Sequence, residues 1–313
     1  MTTPVSTLTL NPAIDVTYEV SQLVADDKVN SKEANIFPGG NGINVSRALK
    51  RLGKDAHTCC IFARETGSLI RRLLRDEDIY PVTLEVPGRN RVNCTIQQRR
   101  PPEEFKVAGI GPDITAETLE QITTIFLNLA GTGYGVLSGS TLPGTPEDLY
   151  TDLAIKLRAQ GARAVVDTKD AMLRETVEAK PFLIKPNKYE LEVMCGRSLP
   201  TLEAIADEAR KVQQMGIDNV CVTLAEEGAI LVDDNDSYYA PAPKVRVRCS
   251  VGAGDTMLAG LISAFSDGKP LDEVLRLGLA CASGSISRDG TELFHPGELE
   301  ALMEKIEVTG LSI

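Results

Sequence analysis

The chain has 313 residues, which is enough for one large α/β domain or two small ones. Because 42% of the residues are hydrophobic, a core can form without disulfide bonds or structural metal ions. Its formal net charge of -11 argues against nucleic acid or an anionic membrane surface as the main partner. The seven cysteines are scattered and include no C-x-x-C pair, which predicts reduced cytoplasmic thiols and no zinc site. We see neither a signal-peptide pattern nor an apolar run of membrane-spanning length, and expect a cytoplasmic protein.

Short apolar runs of strand length alternate with helical patterns along the chain. In chain order, we expect a strand at 5–10, a helix at 43–52, a strand at 56–62, a helix at 65–75, a strand at 134–137, a helix at 147–159, strands at 164–166 and 182–184, a helix at 202–215, a strand at 219–224, and two long helices at 256–265 and 271–287, with a last element at 299–306. This alternation predicts an α/β fold, a mostly parallel central sheet with helices on both faces.

Two charged segments, residues 16–37 and 84–107, interrupt this alternation. Both alternate apolar and polar residues, as half-exposed antiparallel strands do. We interpret them as one small β-sheet lid over the carboxyl ends of the parallel strands, where open α/β sheets bind ligands. Alternatively they extend the main sheet or form a dimer interface, and the lid and dimer interpretations are compatible. No linker or repeat divides the chain, so we expect a single domain over residues 1–313.

Two motifs near the N-terminus favour a ligand site. Asp15 ends the stretch N-P-A-I-D after the first strand, where its carboxylate can accept hydrogen bonds from sugar hydroxyls. Turn chemistry explains this stretch at least as well. Gly39 and Gly40 belong to P-G-G-N-G-I-N before a helix, where backbone can approach a ligand closely, and Asn44 falls in the first helical turn. A helix start with a flexible hinge is the alternative there, and the two interpretations do not exclude each other.

A later motif, K-P-N-K-Y-E over residues 185–190, follows a predicted strand. Asn187 is expected to cap the next helix, with Glu190 at the capping-box position. The functional alternative is that Asn187 and Glu190 share a face and hold a hydrated Mg²⁺ near phosphates, because Mg²⁺ keeps several waters and takes few carboxylates.

The most informative stretch is V-G-A-G-D-T over residues 251–256, directly before an apolar helical pattern. Gly252 and Gly254 allow the backbone to curl so that several N–H groups face one concavity at the helix N-terminus. Such a place suits an anion whose charge grows during phosphoryl transfer. Asp255 beside it can accept the proton of an attacking hydroxyl. The alternative is that Asp255 only caps the helix and the glycines only make a turn.

Taken together, these motifs resemble the PfkB family of sugar kinases within the ribokinase superfamily. Residues 39–45 and 251–256 are similar to the N-terminal and C-terminal family signatures, and residues 187–190 to the N-x-x-E motif. Residues 9–15, 138–140 and 185–187 resemble the branch that phosphorylates ketohexose phosphates: 1-phosphofructokinases, tagatose-6-phosphate kinases and minor 6-phosphofructokinases. The resemblance implies a ribokinase-like fold, use of ATP and Mg²⁺, and a sugar phosphate as acceptor.

The resemblance also implies a role for each matching residue. Asp255 is the implied base, and the amides of Gly252, Ala253 and Gly254 form the anion hole. Implied substrate residues are Asp15, Lys28, Gly39, Gly40, Asn44, Arg91 and Ser140, with Lys28 and Arg91 reaching the existing phosphate and Arg89, Arg99 and Arg100 as competitors for that role. Implied nucleotide residues are Lys185, Asn187, Thr223, Gly228 and Ser283. Asn187 and Glu190 hold Mg²⁺ through water. A homodimer through the lid sheet is expected.

Three departures from the family pattern bear on substrate preference. Asn41 stands where 1-phosphofructokinases commonly have lysine, Ala225 where the nucleotide loop commonly has glycine, and Lys169-Asp170 where Ser-Gly is common. Other nucleotide-binding signatures, the P-loop and G-x-G-x-x-G after a strand, are absent from the sequence. The two histidines, His57 and His295, are interpreted as structural. We therefore expect ATP-dependent phosphorylation, foremost of fructose 1-phosphate, with a non-catalytic sugar-phosphate sensor as the alternative of another class.

Overall fold

The computed structural model describes residues 3–312. The strands are β1 Val5–Thr9, β2 Ala13–Val20, β3 Glu33–Gly39, β4 His57–Ala63, β5 Val82–Val86, β6 Arg91–Arg99, β7 Pro102–Val107, β8 Tyr134–Ser138, β9 Arg163–Asp167, β10 Leu183–Ile184, β11 Asn219–Thr223, β12 Ala229–Val232, β13 Ser237–Ala240 and β14 Thr309–Gly310. The helices are α1 Asn41–Arg51, α2 Arg64–Arg75, α3 Ala116–Ala130, α4 Leu149–Ala159, α5 Asp170–Thr176, α6 Lys188–Cys195, α7 Leu202–Gln214, α8 Ala253–Ser266, α9 Leu271–Ile286 and α10 Leu299–Met303.

A ten-stranded sheet organises the molecule, in the order β14-β13-β12-β11-β10-β9-β8-β1-β4-β5. All neighbours from β11 to β5 pair in parallel, and β12, β13 and β14 add an antiparallel edge. The chain leaves β1 for β4 on one side and later returns to β8 on the other. Their carboxyl ends therefore form the crevice where parallel α/β sheets bind ligands.

Helices cover both faces of this sheet, because the strands present apolar side chains to each face. On one face Leu8 and Val166 pack in a buried cluster with residues of α3, α4 and α7. On the other face Val5 and Val165 pack with residues of α1, α8 and α9. The predicted fold class, a mostly parallel sheet between two helical layers with a small second sheet, is confirmed.

The second sheet has four strands in the order β3-β2-β6-β7. Its composition corrects the predicted segments in two respects. Residues 84–86 lie in β5, which pairs in parallel with β4 at the edge of the main sheet, so the second segment of the small sheet begins at Arg91. An edge strand is half exposed, and its alternation therefore resembles that of a projecting strand. In addition β2 pairs with β6 in parallel, although antiparallel strands were expected.

Several elements have no counterpart in the predictions, namely α3, α5 and the edge strands β12, β13 and β14. The predicted helix 256–265 begins three residues earlier, at Ala253, because Gly252 in left-handed geometry already turns the chain into the helix. Between residues 3 and 312, no helix combines the length and the apolar character that crossing a membrane requires.

Candidate active site

The first turn of α8 lies at the carboxyl end of the parallel strands. Gly252, with φ +82°, is its N-cap, so Ala253, Gly254 and Asp255 are the first three helical residues. Their backbone N–H groups have no intrahelical acceptor and carry the positive end of the helix dipole. No side chain caps this helix, so the alternative interpretation of Asp255 as a cap is wrong. The turn has the form of an anion hole with a carboxylate beside it.

The carboxylate of Asp255 is buried, with 5% of the residue exposed. Asn44 Nδ2 donates a hydrogen bond to Asp255 Oδ2 at 2.9 Å, which joins the first signature on α1 to the last on α8. Burial, and then the Asp167 carboxylate, raises the pKa of Asp255 to about 7, against the lowering effect of Asn44 and Lys185. A carboxylate with a pKa near neutrality suits general base catalysis, since it accepts a proton readily at physiological pH.

A buried ion pair borders the same turn. Lys185, at the end of β10, lies 3.1 Å from Asp167 Oδ1 at the end of β9. A β-carbon at Gly254 would lie 3.1 Å from Lys185 Nζ, so glycine lets the ammonium group approach the helix N-terminus. Burial acts to lower the pKa of Lys185, but the Asp167 carboxylate raises it, and the amine stays protonated. Asp167 was not among the predicted site residues.

Asp15 lies on β2 with a cluster of polar groups. Asn93 Nδ2, directly opposite on β6, donates to Asp15 Oδ1 at 2.8 Å, and a β-carbon at Gly39 would lie 2.3 Å from Asp15 Oδ2. Burial raises the pKa of Asp15, while the Asn93 hydrogen bond and the Arg91 charge lower it. Arg91 Nε donates to the backbone oxygen of Asn11 at 3.1 Å. Asp15, Gly39 and Arg91 therefore converge, held by Asn93 and Asn11, which were not predicted.

The remaining predicted sugar residues frame the same crevice. Gly40 is the N-cap of α1 with φ +113°, a conformation that suits glycine. Asn41 at the next position lies against Gly139, where a β-carbon would be 2.9 Å from Asn41 Oδ1. Ser140 accepts a hydrogen bond from Asn11 Nδ2 at 3.4 Å. The turn after β8 thus faces the start of α1.

Comparisons with known proteins agree with this geometry. Residues 7–296 match the pfkB family carbohydrate kinase. The chain belongs to this family.

A 1-phosphofructokinase of Bacillus subtilis is 33% identical over 305 residues, covering 97% of this chain and 99% of that protein. The crystal structure of phosphofructokinase-2 from Escherichia coli in complex with substrates and products has a TM-score of 0.92 at 27% identity, covering 96% of this chain and 98% of that one. A tetrameric inhibited form of that enzyme has a TM-score of 0.89 at 26% identity, covering 97% and 99%. The predicted family and enzyme class are confirmed: the protein is a carbohydrate kinase.

The nucleotide side of this pfkB kinase is built around β11. Thr223 forms an isolated parallel β-bridge with Asn187, and its N–H donates to the Pro186 oxygen at 3.0 Å. The two predicted nucleotide-binding segments are therefore adjacent. Ala225 has φ +53°, so the left-handed geometry common to glycine is kept by an alanine. Gly228 has φ +102°, and a β-carbon there would lie 2.0 Å from the Ala240 oxygen. Ser283 is buried on α9, so its predicted role remains a proposal.

Asn187 and Glu190 form a reciprocal capping box at the start of α6. Asn187 Oδ1 accepts from the Glu190 N–H at 2.9 Å, and Glu190 Oε2 accepts from the Asn187 N–H at 2.8 Å. The capping expectation is therefore met. The predicted Mg²⁺ role is compatible with it, because an amide oxygen and a carboxylate each accept more than one hydrogen bond. Among the side chains that the structure describes, which exclude those of residues 170 and 171, no group of three or more His, Cys, Asp and Glu is arranged to hold a metal ion directly.

The predicted phosphate-binding lysine and arginine residues differ in their burial and in their ion pairs. Arg91 is half-buried beside Asp15, whereas Lys28 lies in the exposed connection between β2 and β3. The Lys28 ammonium group has no ion pair with any residue between 3 and 312. Arg99 pairs with Glu19, and Arg89 and Arg100 are exposed. Of these predicted cations, Arg91 is therefore the one that lies beside the predicted sugar-binding residue Asp15.

One face of the small sheet touches the loop that leads into α8. Gln97 donates to the Arg248 backbone oxygen at 3.2 Å, and Lys106 to Ser250 Oγ at 3.3 Å. Thr17 and Phe37 on the same face lie against Gly290. The polar face of the sheet is therefore turned towards the loop that precedes Asp255, and the lid role of this sheet stays a prediction. His57 and His295 take no part in these contacts; His295 pairs with Glu292.

Proposed function

We propose that this carbohydrate kinase transfers the γ-phosphoryl group of ATP to the free primary hydroxyl of fructose 1-phosphate, giving fructose 1,6-bisphosphate and ADP. The observation that carries the proposal is the buried Asp255, with a pKa of about 7, beside the unpaired amides of the α8 first turn. The full-length similarity to the 1-phosphofructokinase of Bacillus subtilis supports the choice of sugar.

In the proposed reaction the sugar hydroxyl loses its proton to Asp255 as its oxygen bonds to the γ-phosphorus, and the bond from phosphorus to the ADP oxygen breaks. The amides of Gly252, Ala253 and Gly254 neutralise negative charge on the phosphoryl oxygens. Asn44 donates to the Asp255 oxygen that does not take the proton, which aims the other oxygen at the hydroxyl. Positioning and electrostatics supply most of the rate in such transfers.

The substrate's own phosphate needs positive charge in a chain of net charge -11. Arg91 supplies it beside Asp15, and Ser140 adds a hydroxyl donor. Asp15, Gly39, Gly40 and Asn44 bind the sugar hydroxyls. Lys28 reaches the phosphate when the exposed connection between β2 and β3 folds over the bound substrate. That movement is part of the proposed lid function of the small sheet.

The nucleotide binds along two segments, the one that contains Lys185 and Asn187 and the one from Thr223 to Gly228. Ser283 lies near the adenine. Lys185, whose ammonium group lies beside Gly254, neutralises charge on the transferred phosphate. When bound, Mg²⁺ would shield the charge of the nucleotide phosphates, and Asn187 and Glu190 would hold its water shell. Seven free cysteines fit a reducing compartment, and we infer that the protein works in the cytoplasm.

A turnover panel tests the substrate. We expect coupled ADP release to give the highest kcat/KM with fructose 1-phosphate, ahead of fructose 6-phosphate and tagatose 6-phosphate. The runner-up is 6-phosphofructokinase activity, which Asn41 at a position commonly lysine and the similarity to phosphofructokinase-2 favour. A preference for either 6-phosphate overturns the choice of sugar. If a sugar phosphate binds but none of the three sugar phosphates leads to ADP release, the protein is a non-catalytic sensor.

We further propose a homodimer through the outer face of the small sheet. The strand register places Tyr18, Ile36, Val92, Phe105 and Val107 on this face, and each is between 38% and 62% exposed. A projecting four-stranded sheet needs a packed face, and a second copy offers a self-complementary apolar one. That phosphofructokinase-2 from Escherichia coli forms tetramers shows that relatives associate.

Light scattering tests this association. We expect the protein to have twice the 33.7 kDa chain mass, and Ile36→Asp to have the mass of one chain. An aspartate on the apolar face would be buried without a partner in the dimer, which costs several kcal/mol. Ile155→Asp is the matched control, since Ile155 is 52% exposed on α4, outside this face. A wild-type protein of single-chain mass contradicts the proposal.

A further inference from the structure

Arg47 on α1 is fully buried, at 0% exposure, and its guanidinium group connects four parts of the chain. Nε and Nη2 donate to the Glu77 carboxylate at distances between 2.7 and 3.0 Å. Nη1 donates to the Pro38 oxygen at 3.3 Å, the Thr291 oxygen at 3.2 Å and Asn44 Oδ1 at 3.4 Å. No step of the proposed reaction uses this residue, and its burial requires a reason.

The contact with Asn44 has a directional consequence. Arginine has donors but no acceptor, so the oxygen of the Asn44 amide must face Arg47. Its NH₂ group then faces Asp255 Oδ2, which it reaches at 2.9 Å. If the Asn44 amide were turned over, its oxygen would face the Asp255 carboxylate oxygen. Its NH₂ group would then face the N–H donors of Arg47. Arg47 therefore decides which end of Asn44 meets the catalytic carboxylate.

Glu77, just beyond the end of α2, fixes Arg47 in turn. Its carboxylate receives three of the guanidinium hydrogen bonds, and its side chain is 24% exposed. A buried arginine without a carboxylate partner is strongly unfavourable, so the pair acts as a unit. The bond to the Pro38 oxygen extends the same support to the backbone before Gly39, which contacts Asp15.

We propose that Arg47 and Glu77 are positioning residues for phosphoryl transfer, which hold Asn44 in the orientation that directs its N–H group to Asp255. The inference rests on the proposed role of Asp255 and goes beyond it. The remaining charged groups that face Asp255 are Asp167 on β9, Lys185 after β10 and Asp15 on β2. None of these contacts Arg47 by a hydrogen bond, although the Arg47 charge also lowers the pKa of Asp15. A variant that keeps this charge but changes the hydrogen-bond geometry therefore reaches Asp255 through Asn44.

Two charge-conserving variants, Arg47→Lys and Glu77→Asp, test the proposal. Each keeps the formal charge, but lysine lacks the guanidinium fork and aspartate is one methylene shorter than glutamate, so a change in the pH profile reports geometry. We expect the acidic limb of the kcat profile to move to higher pH by on the order of one unit, because a carboxylate that loses a donor binds its proton more tightly. At pH 7 kcat should therefore fall about fivefold and largely recover at pH 9, with KM for ATP unchanged.

The matched controls are Arg71→Lys and Glu85→Asp. Arg71 also pairs with a carboxylate, at 3.0 Å, and stacks on a phenylalanine, Phe62, but contacts no site residue. A purely structural brace predicts lower thermal stability with an unmoved pH profile in all four variants, and that result overturns the proposal. If Arg47→Lys does not fold, Glu77→Asp decides, since its side chain is partly exposed.

A double-mutant cycle adds a readout independent of stability. In an Asn44→Ala background, Glu77→Asp should lower kcat no further than Glu85→Asp does, because the group that the pair positions is gone. Additive effects overturn the proposal. Failure of the proposed function is a different result: wild-type protein then turns over none of the three sugar phosphates. If it prefers another of the three, the same profiles are measured with that sugar.

Discussion

Asp255→Asn is expected to lower kcat by on the order of 10²-fold or more, as loss of a general base typically does. Asparagine keeps the size of the side chain and an oxygen for the Asn44 donor, so the site should remain intact. Coupled ADP release with the preferred sugar phosphate measures the change. In the wild type, kcat/KM should rise with pH through about 7, the pKa of Asp255, and this limb should be missing in the variant.

The same substitution should stabilise the protein above neutral pH. The folded-state pKa of Asp255 is raised to about 7, so the folded protein binds this proton more tightly than the unfolded chain. The carboxyl group therefore costs nothing below the unfolded pKa, and its cost grows as pH rises to about 7. A shift of about three units corresponds to at most about 4 kcal/mol. Urea unfolding should show Asp255→Asn more stable than wild type at pH 8 and equally stable near pH 4.

Together these measurements separate catalysis from folding. A variant that is inactive because it is misfolded would be less stable at pH 8, whereas the proposed base gives lost turnover with gained stability. Near-normal turnover in Asp255→Asn shows that the assignment of the base is wrong. Equal stability at pH 8 would mean that the carboxylate carries no burial cost.

The parallel core of the fold was predictable because its strands are continuous apolar runs. Strands buried on both faces lack polar alternation, so their short length between turn residues distinguishes them from helices, as for Leu183–Ile184. Helix α3 lacked a prediction although Thr115 caps it. Its core face consists of Ile122, Phe126 and Ala130, and β-branched threonines between them weaken the helical pattern.

The predicted site residues come from motifs in which local geometry and chemistry coincide. Glycine before a helix has a local reason, so Gly40 and Gly252 could be recognised without the fold. Asn93 and Asp167 carry no such local signal. Asn93 meets Asp15 only because β2 pairs in parallel with β6, and this pairing joins strands some 80 residues apart, beyond what local pattern specifies.

Arg47 illustrates the same limit from within a recognised motif. It lies one turn after Asn44 on α1, so their proximity was implied by helical spacing. That it is fully buried depends on Glu77 and Thr291, which come from two other parts of the chain. A charged residue on an amphipathic helix is ordinarily solvated, and sequence alone gave no reason to expect otherwise.

Gly39→Ala is the second substitution with a large expected effect. Gly39 has ordinary backbone geometry, so alanine adds no backbone strain, and the whole effect is steric. The new β-carbon would lie 2.3 Å from Asp15 Oδ2 and 2.4 Å from its Cγ, and the buried carboxylate must move. Loss of its hydrogen bonds to sugar hydroxyls should cost about 1.5–3 kcal/mol, which is about 10- to 100-fold in KM for the sugar phosphate.

The nucleotide side should be unaffected, because Thr223 and Gly228 lie on β11 and the turn after it, apart from β2 and β3. Initial rates with either substrate varied should therefore show a raised KM for the sugar phosphate and an unchanged KM for ATP. Gly297→Ala is the control, since a β-carbon there has no neighbour within 4 Å. If Gly39→Ala leaves the sugar-phosphate KM unchanged, Asp15 does not bind the sugar. Because Gly39 and Asp15 lie on paired strands, sheet register places Gly39 against the carboxylate that we propose binds the sugar.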